Sequence, residues 1–236
     1  MRKSSLIDDV EMSDFDKNGP PILFQNSEIR KMLNLAKAKE DDIFYDLGSG
    51  WGQNLIIALT EFNVKRAIGI EDVQSRCHLS KERIKKFSIT ESQGNVIKAD
   101  IDHLLEDKLQ DAKISEATIV FYGLQTDRDL LDKLRTKLQD GCRLLYYYNC
   151  LFPEIMPNEI NFPFFLSKQP FRNSTSIIDW LRMVTQKTKS SLQKGKDASE
   201  EELWDELSHD YDVNGDTEDV ENYKERLKKL LTVKGN

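Results

Sequence analysis

Two patterns of apolar positions alternate along residues 26–148, and together they predict a βαβ architecture. Short apolar runs typical of buried strands are separated by longer segments in which apolar residues recur at helical spacing. Strands separated by helical segments of this length form parallel sheets. The predicted strands are Ile43–Tyr45, Arg66–Ile70, Asn95–Lys98, Ala117–Tyr122 and Cys142–Tyr148.

Helices are predicted before the first strand and between the strands. The first helix begins at Asn26 or Ser27, since either residue is a good N-cap, and it runs through Ala38. The last helix ends at Asp140-Gly141, because glycine readily adopts the conformation that terminates a helix. The helices between strands are Gln53–Phe62, Gln74–Phe87, Leu104–Leu109 and Asp127–Leu138.

The pattern changes after Pro153, where βαβ units give way to apolar runs without a helix between them. Phe162–Ser167 and Thr175–Thr185 are predicted as two further strands, which suit an antiparallel hairpin at the edge of the sheet. The predicted fold class is therefore α/β, with a Rossmann-like seven-stranded sheet that is mostly parallel and has an antiparallel edge strand. This domain is expected to span residues 22–185.

The two ends of the chain differ from this domain in composition. Residues 1–21 are polar and read as a flexible lead-in, while residues 186–236 read as a basic linker followed by an acidic helical tail. Two charged helices, Glu200–Leu207 and Val220–Leu231, are predicted in that C-terminal extension.

Charge is distributed unevenly along the chain. The net charge is −7, but the segment from Asp197 to Tyr223 alone holds 12 acidic and no basic residues. The acidic balance therefore does not exclude anionic partners of the domain. The stretch Lys168–Lys196 holds 7 basic residues against Asp179, which indicates either a weak nucleic-acid contact or a solvated linker.

Cysteine usage and hydropathy bear on where the protein works. The 3 cysteines show no metal-ligand spacing, and their odd number favours a reducing compartment. The chain has no apolar run near the roughly 20 residues that span a bilayer, and its N-terminus lacks the pattern of a signal peptide. We expect a cytoplasmic, nucleoid or nuclear protein that is not secreted, has no membrane partner and holds no metal. Its oligomeric state is left open.

The strongest chemical signal is the segment Asp46-Leu47-Gly48-Ser49-Gly50-Trp51-Gly52-Gln53, which follows a predicted strand and precedes a predicted helix. Such glycines allow a sharp turn and a close approach of the backbone to a ligand. A lone glycine-rich turn also occurs as a plain strand–helix corner. Here, however, Glu71 ends the second strand and Asp100 ends the third, at the sheet edge where parallel sheets bind ligands.

The acidic residue before the glycines distinguishes between two nucleoside ligands. Glu71 could accept hydrogen bonds from the ribose of either a nicotinamide dinucleotide or S-adenosyl-L-methionine. Asp46 would repel a pyrophosphate but would pair with the α-ammonium group of S-adenosylmethionine. Asp100 is placed to accept a hydrogen bond from an adenine amino group. The predicted ligand is therefore S-adenosylmethionine.

The segments DDIFYDLGSGWGQ, VKRAIGIE and ISEATIV resemble class I methyltransferases. More narrowly, DLGSG-x-GQ resembles the disruptor-of-telomeric-silencing histone-lysine methyltransferases, and the same segments are similar to small archaeal protein-lysine methyltransferases. The resemblance covers residues 22–150. It implies a methyltransferase fold and methyl transfer from S-adenosylmethionine to a protein lysine, with a histone or other chromatin protein as one possible substrate.

The resemblance also implies roles for individual residues. The glycine segment, with Asp46, Gly48, Ser49 and Gly50, would hold the amino-acid end of the donor, and Gln53 would reach its carboxylate. The resemblance further implies that Glu71 would contact the ribose of the methyl donor, and that Asp100 and Ile101 would contact its adenine.

The chain departs from the family pattern on the acceptor side. Tyr122-Gly123-Leu124 stands where the family has Asn-Asn-Phe, and Phe24 stands where relatives carry a threonine. Aromatic walls suit a lysine channel through cation–π contact. Tyr122 is the first candidate for such a wall and Trp180 the weaker second, although each could instead be an ordinary core residue. Methylation of RNA or of a small molecule, and donor binding without catalysis, remain the alternatives.

Overall fold

The structure is a computed structural model that describes residues 24–124, 128–147, 152, 154–176, 180 and 183–186. Within these residues, 7 strands form one sheet and 5 α-helices pack against it. The strands are β1 (Ile43–Leu47), β2 (Arg66–Glu71), β3 (Gly94–Lys98), β4 (Ile119–Tyr122), β5 (Arg143–Tyr147), β6 (Glu159–Asn161) and β7 (Phe164–Lys168). The helices are α1 (Asn26–Leu35), α2 (Gln53–Glu61), α3 (Gln74–Lys86), α4 (Ile101–Leu105) and α5 (Arg128–Lys137).

The strand order is β3-β2-β1-β4-β5-β7-β6. Strands β1 to β5 pair in parallel, whereas β7 pairs antiparallel with both β5 and β6. The order reverses direction between β1 and β4, which is the switch point where doubly wound sheets bind their ligands. The predicted seven-stranded, mostly parallel sheet is confirmed.

The register brings the carboxyl ends of the central strands to one edge. Leu47 lies opposite both Ile70 and Tyr122, and Glu71 lies opposite Lys98. Residues that follow these positions in the chain therefore meet at the same edge of the sheet.

Apolar side chains fill both faces of the sheet, because its central strands are covered by helices on each side. On β1, Phe44 packs into the cluster formed with α1, α2 and α3. Its neighbour Tyr45 packs into the opposite cluster, formed with α4 and α5. This alternation fixes which face each side chain of the neighbouring strands contacts.

An ion pair joins two strands at the amino edge of the sheet. Asp42 precedes β1 and is 3% exposed, and its Oδ1 accepts a hydrogen bond from Arg143 on β5. Thr118 Oγ1 also donates to Asp42 Oδ1 at 2.7 Å. The guanidinium of Arg143 further donates to the carbonyl of Ala36 at 2.6 Å, which ties the chain after α1 to the sheet.

Two predicted boundaries shift where local interactions decide them. The first helix ends at Leu35 rather than Ala38. The helix after β3 begins at Ile101 rather than Leu104, because the Asp100 side chain accepts a hydrogen bond from the amide of Asp102 and caps it.

The predicted final strands are partly wrong. Phe164–Lys168 confirms the strand predicted at Phe162–Ser167, but its hairpin partner is Glu159–Asn161 rather than Thr175–Thr185. Trp180 and residues 183–186 are helical. The amide of Trp180 donates to the carbonyl of Ser176 at 3.0 Å, which is a helical i to i−4 bond.

The predicted lead-in and the C-terminal extension from residue 187 lie outside the described residues. The basic stretch falls outside them in part, and the two tail helices do so entirely. Of the helices that the structure describes, none is long and apolar enough to cross a bilayer.

Candidate active site

The loop between β1 and α2 contains three glycines in left-handed conformations. Gly48, Gly50 and Gly52 have φ angles of 84°, 52° and 71°, which strain any residue with a Cβ. The amides of Gly48 and Ser49 both donate to the carbonyl of Ile70, at 2.9 and 3.0 Å. The predicted glycine motif therefore forms a tight turn that is tied to the end of β2.

Asp46 lies beneath this loop and is 1% exposed. Its Oδ2 accepts a hydrogen bond from Asn54 Nδ2 at 3.1 Å. Burial raises the pKa of Asp46 to about 7; the Asn54 hydrogen bond acts against this increase, and the charge of Glu71 adds to it. Its other oxygen, Oδ1, is buried and has no hydrogen-bond partner among the residues that the structure describes. A buried hydrogen-bond acceptor without a partner lowers the stability of the fold by about 1–3 kcal/mol, so this atom is suited to accept a hydrogen bond from a ligand.

Glu71 ends β2 and braces the loop from the next strand. Its Oε2 accepts from the amide of Gly50 at 2.7 Å and its Oε1 from the amide of Val73 at 3.0 Å. Burial raises the pKa of Glu71, while these two amides and the guanidinium of Arg76 act in the opposite direction. A carboxylate can accept about four hydrogen bonds, so two acceptor positions remain for the hydroxyls of a ligand.

Asp100 and Ile101 follow β3 at the same edge. Asp100 is exposed, and its Oδ1 is engaged with the amide of Asp102 at 2.8 Å. Ile101 is half-buried at the start of α4. The structure therefore brings the three predicted carboxylates to one edge, with Asp46 and Glu71 buried and Asp100 open to solvent.

Ser49 and Gln53 take different positions around the loop. The Ser49 hydroxyl points toward the sheet, since a Cβ built on Gly69 would lie 2.4 Å from its Oγ. Gln53 is the first residue of α2, and its Nε2 donates to Asn26 Oδ1 at 2.7 Å. Its Oε1 accepts from Arg83.

Helix α3 contributes buried polar residues that the sequence analysis missed. Arg76, Ser80 and Arg83 are buried at intervals of four and three residues along one face of the helix. Ser80 Oγ donates to the carbonyl of Gly50 at 2.8 Å, and Arg76 Nη1 lies 3.8 Å from Glu71 Oε1. The helical spacing of three polar residues was the signal that could have found them.

The two predicted acceptor-side aromatics are both packed within the fold. Tyr122 is 4% exposed, and its ring stacks on Phe152 with 6.0 Å between centroids. Trp180 is 1% exposed, and its Nε1 donates to the carbonyl of Ile155 at 2.8 Å. Their predicted role as walls of an acceptor channel stays a prediction, since each ring already fills a packing role.

Leu124 is the apolar side chain that lies over the glycine loop, and the sequence analysis did not single it out. Its Cδ1 is 2.9 Å from the position that a Cβ on Gly48 would occupy, yet 42% of the residue is exposed. The ring of Phe24 packs edge-on against Phe121 of β4, with 5.7 Å between the ring centroids.

A second cleft among the described residues does not belong to this site. An open cleft of about 610 Å³ at the amino edge of the sheet is lined by Asp42 and Arg143, which pair with each other. In the part of the chain that the structure describes, no group of His, Cys, Asp and Glu side chains could hold a metal ion.

Comparison with known proteins identifies the family. Residues 24–147 match the family described as Histone methylation protein DOT1. The match covers more than half of the 236 residues and includes the glycine loop, Glu71, Asp100 and Tyr122. The chain belongs to the DOT1 family. The family match ends at Tyr147, the last residue of β5, so the hairpin β6–β7 lies outside it.

Individual relatives agree on methyl transfer and differ in acceptor. The DOT1-family chain is 35% identical over 119 residues to a protein-lysine N-methyltransferase of Saccharolobus islandicus, covering 50% of this chain and 68% of that protein. It is 28% identical over 123 residues to ribosomal RNA small subunit methyltransferase A of Ureaplasma parvum, covering 51% of this chain and 44% of that protein.

A solved structure shares the fold. An RNA methyltransferase from Salinibacter ruber, in complex with S-adenosyl-L-homocysteine, superposes with a TM-score of 0.56 at 22% identity. The superposition covers 66% of this chain and 99% of that chain.

The DOT1-family protein is thus a methyltransferase that uses S-adenosylmethionine, and the site's unsatisfied atoms fit this donor. The buried Asp46 Oδ1 lacks the partner that an α-ammonium group would supply. Glu71 retains acceptor positions that two ribose hydroxyls could fill. The left-handed φ angles of the three glycines disfavour any side chain in the loop that joins β1 to α2 beside these carboxylates.

Proposed function

We propose that this chain transfers a methyl group from S-adenosylmethionine to the ε-amine of a lysine in a protein. The observation that carries the proposal is the 35% identity to a protein-lysine N-methyltransferase over 68% of that relative's length. The arrangement of the donor residues supports it, because all of them lie within the aligned family region.

The reaction requires little chemistry from the protein beyond placement. The bound donor supplies a methyl group attached to a positively charged sulfur. The lysine nitrogen forms the new bond to that methyl carbon as the carbon–sulfur bond breaks, and the electron pair stays on the sulfur. The amine must be neutral to attack, and its free pKa of about 10.4 falls in a dry site beside a positive charge. The protein's task is to hold both reactants in line and exclude water.

We propose that Leu124, rather than a polar side chain, contacts the entering lysine. An apolar residue that is 42% exposed beside a ligand loop is suited to cover the aliphatic stem of a lysine. Tyr122 would then support Leu124 from within the fold through its stacking on Phe152. Trp180 remains the second candidate for this wall.

The charge at the rim favours a cationic acceptor. Asp72 and Asp100 are both exposed at the carboxyl edge of the sheet. Carboxylates there attract a lysine-rich segment, such as a histone tail or another basic chromatin protein, and repel the phosphates of RNA.

Incubation with tritiated S-adenosylmethionine and a panel of acceptors tests this function. With a histone-like basic protein, label should appear in the protein and survive acid hydrolysis as methyl-lysine, and its rate should rise with pH as more amine becomes neutral. The same reaction is run with RNA and with a cell lysate. Label recovered in RNA would show that RNA, and not a protein lysine, is the acceptor. Binding of S-adenosylmethionine without transfer of label to any fraction would show that the chain is a non-catalytic donor-binding module.

Substitutions at Tyr122 and Leu124 should have different effects. Tyr122→Ala is expected to destabilise the fold by about 3–5 kcal/mol because it removes a buried aromatic ring, whereas Tyr122→Phe should be mild. Leu124→Ala should leave stability nearly unchanged and lower kcat/KM for the protein acceptor about tenfold. Urea unfolding and steady-state kinetics measure the two effects. A Leu124→Ala enzyme with wild-type kcat/KM would move the acceptor channel elsewhere, most directly toward Trp180.

A further inference from the structure

Arg83 is a buried cation beside the donor loop. It is 7% exposed, and its Nη1 donates to the carbonyl of Trp51 at 2.8 Å. Its Nη2 donates to Gln53 Oε1. Among the described residues, no carboxylate lies within ion-pair distance of it. Burial lowers the pKa of its guanidinium, with no neighbouring charge to oppose that effect.

This corner of the site has more hydrogen-bond donors than acceptors. Arg83 Nε and Trp51 Nε1 are both buried donors without a partner. Gln53 Nε2 gives one hydrogen to Asn26 Oδ1, and a primary amide carries two, so its second N–H is still available. A buried positive charge with surplus N–H groups is unfavourable by itself and is compensated when an anion binds.

We propose that Arg83 is a positioning residue for the carboxylate of the methyl donor. By donating to Gln53 Oε1, it fixes the orientation of the Gln53 amide, and its charge attracts the carboxylate. This inference rests on the proposed use of S-adenosylmethionine. It adds a residue from α3 to the site, which the sequence analysis had limited to the loop and the strand ends.

Asp46 and Arg83 reach the loop from different elements. Asp46 lies on β1, directly before the loop, and Arg83 contacts the segment Trp51–Gln53 from α3. The amino-acid end of the donor carries one positive and one negative group. A site with an unsatisfied acceptor on one side and surplus donors on the other matches that pair of charges.

A set of donor analogues tests the inference by calorimetry, without any acceptor. S-adenosylmethionine and decarboxylated S-adenosylmethionine differ only in the carboxylate, and 5′-methylthioadenosine lacks the amino-acid end altogether. Arg83→Met should weaken binding of S-adenosylmethionine about tenfold, the loss expected for a charge-assisted contact. It should leave the affinities for the other two ligands unchanged. Arg83→Lys should restore part of the loss, since it keeps the charge.

Two further variants keep the test decisive. Arg30→Met removes an exposed arginine that pairs with Glu61 on the surface, and it should bind all three ligands like the wild type. If Arg83→Met fails to fold, Arg83→Gln replaces it, because it removes the charge but keeps an N–H donor at this position, and it should give the same selective loss. Arg83→Lys/Gln53→Leu should be no worse than Gln53→Leu alone if the two residues act as one unit.

The outcomes separate this inference from the proposed function. Equal loss for all three ligands would make Arg83 a structural support of the loop only, and no loss for any ligand would also overturn the inference. Failure of the wild type to bind S-adenosylmethionine would instead refute the proposed function itself.

Discussion

Replacing Asp46 with asparagine is expected to weaken binding of S-adenosylmethionine about 100-fold, or about 2.8 kcal/mol. The reason is that the buried Oδ1 is the atom proposed to accept the α-ammonium group, and an amide at this position would carry no charge to pair with it. Binding of 5′-methylthioadenosine, which has no ammonium group, should change little. Calorimetry with both ligands measures the difference.

The same substitution should stabilise the ligand-free protein above neutral pH. The pKa of Asp46 is about 7 in the folded protein against an ordinary value of 3.8, so the folded state favours the protonated form. As pH rises from about 4 through 7, the buried carboxyl must ionise and stability is lost, at up to about 1.4 kcal/mol per unit of pKa difference. Asparagine removes that ionisation. Urea unfolding of both proteins should therefore give similar stabilities near pH 4 and a more stable variant at pH 8.

Asp42→Asn provides the matched control at the other end of β1. Asp42 is as buried as Asp46 but pairs with Arg143, so its loss should destabilise the protein by about 3–5 kcal/mol. Its direct effect on donor affinity should be negligible, since it lies at the opposite edge of the sheet. If Asp46→Asn, like Asp42→Asn, destabilised the protein at pH 8, the Asp46 carboxylate would already have a partner in the ligand-free protein. The proposed ammonium site would then be wrong.

The sequence identified the parts of the site that depend on chain order. Parallel strands place their carboxyl ends together, so Asp46, Glu71 and Asp100 could be assigned to one edge before any coordinates were known. The glycine motif predicted a tight turn, because only glycine takes φ angles such as the 84° of Gly48 without strain.

The parts that were missed depend on contacts between distant segments. Arg83 reaches the loop because α3 packs on the same face of the sheet as α2, and no local pattern shows which face of α3 meets that loop. Leu124 covers Gly48 through the pairing of β4 with β1, which places the ends of both strands side by side.

The hairpin error has a different cause. The strand Glu159–Asn161 is short and only partly buried, so it lacks an apolar run that would predict it. The segment around Trp180 is rich in β-branched residues, which favour strands, but the Trp180 indole is fixed in the core by its hydrogen bond to the carbonyl of Ile155. Tertiary packing therefore overrode the local preference.

Glu71 ties the loop to the sheet and is also the residue proposed to accept the ribose hydroxyls, so its replacement should have two effects. Glu71→Ala would leave the amides of Gly50 and Val73 buried without their acceptor. Each loss costs about 1–3 kcal/mol, so the ligand-free protein should be destabilised by several kcal/mol. Glu71→Gln keeps the shape and one acceptor oxygen and should fall between the wild type and the alanine variant.

Donor binding separates the two roles of Glu71. If its remaining acceptor positions hold the ribose hydroxyls, Glu71→Gln should weaken both S-adenosylmethionine and 5′-methylthioadenosine at least about tenfold, or 1.4 kcal/mol, since both carry the ribose. This differs from Asp46→Asn, which affects only the ligand with an ammonium group. Glu82→Ala, on the exposed surface of α3, should bind both ligands like the wild type. Unchanged affinity for 5′-methylthioadenosine in Glu71→Gln would show that Glu71 only braces the glycine loop and that the ribose lies against another residue.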